Sequence, residues 1–243
     1  MSQAAAGAAR DSGSVEGSLL RSRVYGLLAA VFRDVPDAGL VRSLREGGML
    51  AVLGDMGYDL SDELKGDAVA VADALAVEYT RLFMGPGRHI SPYASVRAGG
   101  PGAMLRGPEA AAVQAFCDAA GFRLHGRSGA LPDHIAVELE VMQRLTEVEA
   151  AGATDVDRWR SLQGGFLSDH MIEWADGFFA EVADTAERLF YSAFAEIGRA
   201  FLHSEAEFLV QGQGAPSRSE RSGEDDMTDQ PASGAGNFAR SSP

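Results

Sequence analysis

The sequence predicts an all-α fold, a single-domain bundle of about eight to ten helices, on three observations. Apolar residues recur at three- and four-residue spacing through most of the chain, residues that start and stop helices stand at the ends of those patterns, and no alternating strand pattern bounded by hairpin turns occurs. With 243 residues and 46% hydrophobic content, the chain can bury a substantial core. The domain is expected over residues 18–210. Residues 1–17 and 211–243 read as disordered tails, since the last 33 residues contain no Leu, Ile or Val and a single aromatic, Phe238, which cannot repay the entropy of ordering.

The elements follow in order. Ser18 to Phe32 carries apolar residues at helical spacing and stops before Pro36, and Asp37 then suits the N-cap of a second helix running to about Gly47. Ser61, followed by Asp62 and Glu63 in a turn that favours negative charge, is expected to start a long helix on which Leu64, Ala68, Val71, Leu75, Tyr79 and Leu82 share one face, with Glu78 at its edge. Met84 to Gly107 follows, 24 residues with six Gly and three Pro; because it keeps Ile90, Tyr93 and Val96, it reads as an ordered loop packed on the bundle. Pro108 and Glu109 open a helix that Gly121 closes. Another runs from Asp133 to about Gly152, and two or three more cover Thr154 to about Val210.

The helix from Asp133 carries the most informative residues. Ile135, Val137, Leu139, Val141, Met142, Leu145 and Val148 form a broad apolar stripe, and His134 and Glu138 fall near its middle, one turn apart. Ala136, Glu140, Gln143, Arg144 and Glu147 are expected on the far, polar side. Burying His134 and Glu138 costs several kcal/mol unless they find partners, on the order of the desolvation of polar groups generally. They are therefore a mutually satisfied pair, a recognition site or, less in keeping with the spacing, metal ligands.

Other chemistries find little support. Gly85-Pro86-Gly87-Arg88-His89 lacks the Lys-Ser/Thr ending of a phosphate loop and follows a helix, so turn chemistry explains it better. No nucleophile elbow or His-Glu-x-x-His helix is present, and the five histidines are dispersed. Cys117 reads as a small buried hydrophobe. His170 and Trp174 read as core packing on a Phe-rich helix. The net charge of −14 argues against nucleic acid, and without the tails 17 basic residues face 28 acidic ones, a field that attracts a basic partner. No apolar run of membrane-spanning length and no signal-peptide pattern are present, so a cytoplasmic location without membrane insertion is expected.

Four segments in order resemble the TorD/DmsD/NarJ family of redox-enzyme maturation chaperones: Glu78-Tyr79-x-x-Leu82-Phe83 with Gly85-Pro86-Gly87; Ser91-Pro92-Tyr93-x-Ser95-Val96; Pro132-Asp133-His134-x-x-x-Glu138-Leu139-Glu140-x-Met142; and Phe166-x-x-x-His170-x-x-x-Trp174. The resemblance covers roughly Leu19 to Leu209. It implies a non-catalytic, all-helical cytoplasmic chaperone without a cofactor of its own. Its partner would be the apo form of a molybdopterin-containing oxidoreductase and its twin-arginine leader, held until the cofactor is inserted. A leader that joins a basic to an apolar stretch calls for carboxylates beside a hydrophobic groove.

Carried over by position, Asp133 would accept from a leader arginine, or else cap its own helix. His134 would shape the pocket with Glu138 beneath it as orienting partner, and Glu78, Tyr79, Phe83, Ser91, Pro92 and Tyr93 would form the facing wall. Ala94 and Arg97 depart from the family loop, which commonly has Glu and Tyr there. The alternatives are a helical metalloprotein using His134, Glu138 and His170, or a permanent assembly subunit of a redox complex. Both a monomer and a domain-swapped dimer fit long helices joined by flexible loops.

Overall fold

The computed structural model describes residues 14–85, 89–99, 105, 107–123, 130–152 and 154–213; of the tails expected over 1–17 and 211–243, residues 1–13 and 214–243 lie outside them, whereas 14–17 and 211–213 belong to the first and last helices, not to tails. All the regular structure described is helical. The first helix, α1 (Val15–Arg33), begins three residues before Ser18, because the Ser14 hydroxyl accepts the Gly17 amide and caps it there. The Asp37 carboxylate accepts from Leu40 and starts α2 (Ala38–Arg45) as expected. A further short helix, α3 (Met49–Asp55), follows in a Gly-flanked stretch whose pattern had not marked it.

The expected start of the long helix at Ser61 is wrong. Residues 61–64 form a turn, and α4 (Ala68–Tyr79) starts at Asp67, whose side chain accepts from both Val69 and Ala70. Gly66, at φ 99°, turns the chain just before it. The helix continues through a π-helical turn over Thr80–Met84. The loop beyond it is ordered where described: the Ile90 amide donates to Leu82 O, and a short helix, α5 (Ala94–Ala98), lies within it.

Helix α6 (Pro108–Ala120) ends at Gly121 in the left-handed conformation, as its Pro-first, Gly-last pattern predicts. The remaining elements are α7 (Ile135–Ala150), α8 (Val156–Phe166) with a second π-helical turn over Leu167–Met171, α9 (Ile172–Thr185) and α10 (Leu189–Gln213). Ala136, expected on the polar side of α7, is buried.

Helix α1 packs along α7, α9 along α10, and α8 bridges α7 and α10. Close approach is built in: a Cβ on Gly198 of α10 would stand 2.9 Å from the Phe179 ring of α9. Phe32, Tyr79, Phe83, Phe178, Phe179 and Tyr191 form an aromatic centre in mostly edge-to-face contacts. Cys117 belongs to the core, and burial raises its thiol to about 12, which makes it unreactive. No described helix is long and apolar enough to cross a membrane.

Candidate functional site

The Ser-Pro-Tyr loop and the Asp-His segment form one structural unit. The Ala94 amide donates to Asp133 O at 3.0 Å and the Ile135 amide to Pro92 O at 2.9 Å, so Tyr93 and His134 lie side by side as an antiparallel bridge. Asp133 is fully buried, and its Oδ2 accepts the Ser95 amide at 3.0 Å. It therefore caps α5 from another part of the chain. It does not cap its own helix: the N-cap of α7 is His134, whose Nδ1 accepts the Ala136 amide at 3.1 Å and leaves the ring proton on Nε2. Nor does the buried Asp133 carboxylate lie at a surface where an incoming arginine would meet it.

His134 is also buried, and burial pushes its pKa down to about 4; Arg33 adds to this, while Asp133 and Asp34 oppose it. The imidazole is neutral at pH 7 and meets the Tyr93 ring edge-on at 4.9 Å. Tyr79 and Phe83 from α4 and its π-helical turn, Ser91, Pro92 and Tyr93 from the loop, and His134 together line a cavity of about 410 Å³. Arg33 and Asp34, at the end of α1, complete it; Arg33 is paired with Glu140, and Asp34 is exposed. Neither residue stood out in the sequence, since nothing in a linear pattern brings the end of the first helix to the Asp-His segment.

One expected member of the wall, Glu78, and the expected partner of His134, Glu138, stand elsewhere. Glu78 accepts from Arg81 at 2.9 and 2.7 Å and from the Glu187 amide at 2.7 Å. Burial pulls its pKa up, but those donors together hold it below the usual carboxylate value, so Glu78 is an anchor between α4 and the turn before α10. Glu138 is not the partner of His134. Its Oε2 accepts the Trp174 indole N–H at 3.0 Å, and its Oε1 has no hydrogen-bond partner. Burial, with repulsion from Asp133, raises its pKa well above the usual value against the Trp174 hydrogen bond, so the fold favours the protonated carboxyl.

A family model described as nitrate reductase delta subunit matches residues 50–180. The chain belongs to that family. It is the NarJ/TorD-like family of redox-enzyme maturation chaperones to which the four sequence segments pointed. In fold the chain resembles an Archaeoglobus fulgidus protein assigned to redox enzyme maturation, with 23% identity and a TM-score of 0.50 over 76% of this chain and 94% of that one. No curated protein matches it.

In this NarJ/TorD-like chain the two departures from the common loop, Ala94 and Arg97, face a second and larger cavity of about 690 Å³. His170 and Trp174 line it too, the indole N–H shared between Glu138 Oε2 and His170 O. The His134, Glu138 and His170 set considered for a metal does not converge, for among the described residues no three His, Cys, Asp or Glu side chains are grouped to hold an ion.

Proposed function

We propose that this chain is the chaperone of a molybdopterin-containing oxidoreductase, binding its apo catalytic subunit in the cytoplasm through the twin-arginine leader until the cofactor is inserted. The leader would lie in the cavity between α1, the end of α4, the 91–96 loop and His134. The observation that carries this reading is the backbone pairing of the Ser91-Pro92-Tyr93 and Asp133-His134 segments, which turns two separate motifs into one preorganised wall. Tyr79, Phe83 and Tyr93 offer an amphipathic aromatic surface for the apolar part of a leader, and exposed Asp34 offers a carboxylate for an arginine. The net charge of −14 favours encounter with a basic peptide. Asp133 then acts as a positioning residue that holds α5 and the loop in place, and the chain has no catalytic role.

Titration calorimetry against the twin-arginine leader of the molybdoenzyme encoded nearest the gene tests this. Micromolar or tighter binding, weakened by salt, by Asp34→Asn and by Tyr93→Ala, is expected. Absence of binding to any candidate leader would refute the leader role and move the target to the body of the apoenzyme.

A further inference from the structure

The larger cavity is built differently from the leader pocket. Its apolar surface comes from Ala94 and Ala98 of α5, Val113 of α6, and Met171 and Trp174 around the second π-helical turn. Small residues, with Gly177 beside Trp174, give it depth, and its volume falls in the range of ligand sites. The Trp174 indole is fixed by two acceptors, Glu138 Oε2 and His170 O, both at 3.0 Å. An aromatic platform held in this way loses little freedom when something lies on it. The π-helical turn itself is a geometry concentrated at functional sites.

The rim decides the sign of what fits. Glu109, Asp169 and Glu173 line the cavity, and none of them forms an ion pair among the described residues. The lining cation Arg97 is committed elsewhere: it pairs with Glu181 at 2.9 Å, with Phe178 beneath its guanidinium. His170 is neutral at pH 7, because burial lowers its pKa against the neighbouring Asp169. Three carboxylates without an ion pair among the described residues, around an apolar floor, complement a segment that joins apolar side chains to arginine or lysine.

We propose that the cavity between α5, α6, the Leu167–Met171 turn and α9 is a second peptide-binding site, taking a short apolar segment that carries arginine or lysine. The site stands apart from the leader pocket, which lies on the other side of α5: Tyr93 and Val96 line that pocket, whereas Ala94, Arg97 and Ala98 line this one. It holds whether or not a leader binds there.

The test uses the full chain in a Trp159→Phe background, where Trp174 is the remaining tryptophan, and a short synthetic peptide of leucine and arginine. Binding should change Trp174 emission and should weaken about tenfold in Asp169→Lys/Glu173→Lys, a loss of the size expected for reversing two rim charges. The control Asp55→Lys/Asp73→Lys makes the same change in net charge at exposed positions on α3 and α4, and should bind like the parent. Equal weakening in both double variants would overturn the inference, because net charge alone would then explain binding. So would loss confined to Tyr93→Glu, which would place the peptide in the leader pocket and leave the leader reading intact. Self-association abolished by Asp169→Lys/Glu173→Lys, without peptide binding, would make the occupant a second copy and also overturn it.

Discussion

Glu138 and His134 stand one turn apart on α7 and are both buried, yet burial moves their protons in opposite directions. The unfolded chain ionises Glu138 above its usual value near 4.5, while the folded protein holds its pKa well above that, so its contribution is full at low pH and lost as pH rises. His134 is protonated below 6.5 when unfolded but resists protonation until about 4 when folded, so its contribution is lost as pH falls through that window. Glu138→Gln keeps an oxygen for Trp174 and removes the ionisation. The melting-temperature difference between this variant and the parent should grow in favour of the variant from pH 4.5 to pH 8, by differential scanning calorimetry. A difference independent of pH would mean Glu138 is ionised in the fold. Asp133→Ala should cost about 1 kcal/mol by urea unfolding, the usual worth of a helix cap, and Asp133→Asn distinctly less because it keeps an acceptor for Ser95. The apolar stripe placed His134 and Glu138 inside, where they are, but gave no sign that Asp133 is buried. It did not reveal their partners, because Ser95 lies 38 positions from Asp133 and Trp174 lies 36 from Glu138.

At the level of helices, the largest buried polar group joins four of them. Arg21 on α1 donates to Glu205 on α10 at 2.7 to 2.9 Å, to Glu149 on α7 at 3.1 Å and to Gln163 on α8 at 2.5 Å, and Tyr25 adds a hydroxyl to Glu205. Removing one member strands the others without water. Arg21→Ala should therefore cost about 3 to 5 kcal/mol, read as a lower urea midpoint, and a loss under about 1 kcal/mol would show that the group relaxes or hydrates. This clamp was invisible in the sequence, where Arg21 is one basic residue in an amphipathic pattern. Helix ends were more legible. Asp37, Pro108 and Gly121 act as their local chemistry dictates, since capping is a contact between near neighbours. Ser61 failed because Asp67 offers a cap accepting two amides, and a leading Ser-Asp-Glu pattern suits a turn as well as a helix.

For the molecule as a whole, the all-helical class followed from periodicity because one apolar stripe per helix is enough to define a bundle. The cavities did not follow, since each needs three or more elements to meet. Deleting residues 214–243, which bring no Leu, Ile or Val, should leave the circular-dichroism spectrum and melting temperature nearly unchanged; a fall of many degrees would show that the segment docks. The Arg21 clamp carries a last consequence, for synthesis. Its partners lie 128, 142 and 184 positions further along the chain. At about 5 to 20 residues per second, the ribosome needs roughly 10 to 40 s to travel from Arg21 to Glu205. Glu149 and Gln163 emerge earlier, but the carboxylate that takes two of the guanidinium nitrogens comes last, so the clamp closes only when α10 has emerged and a nascent chain stalled before it leaves Arg21 incompletely paired.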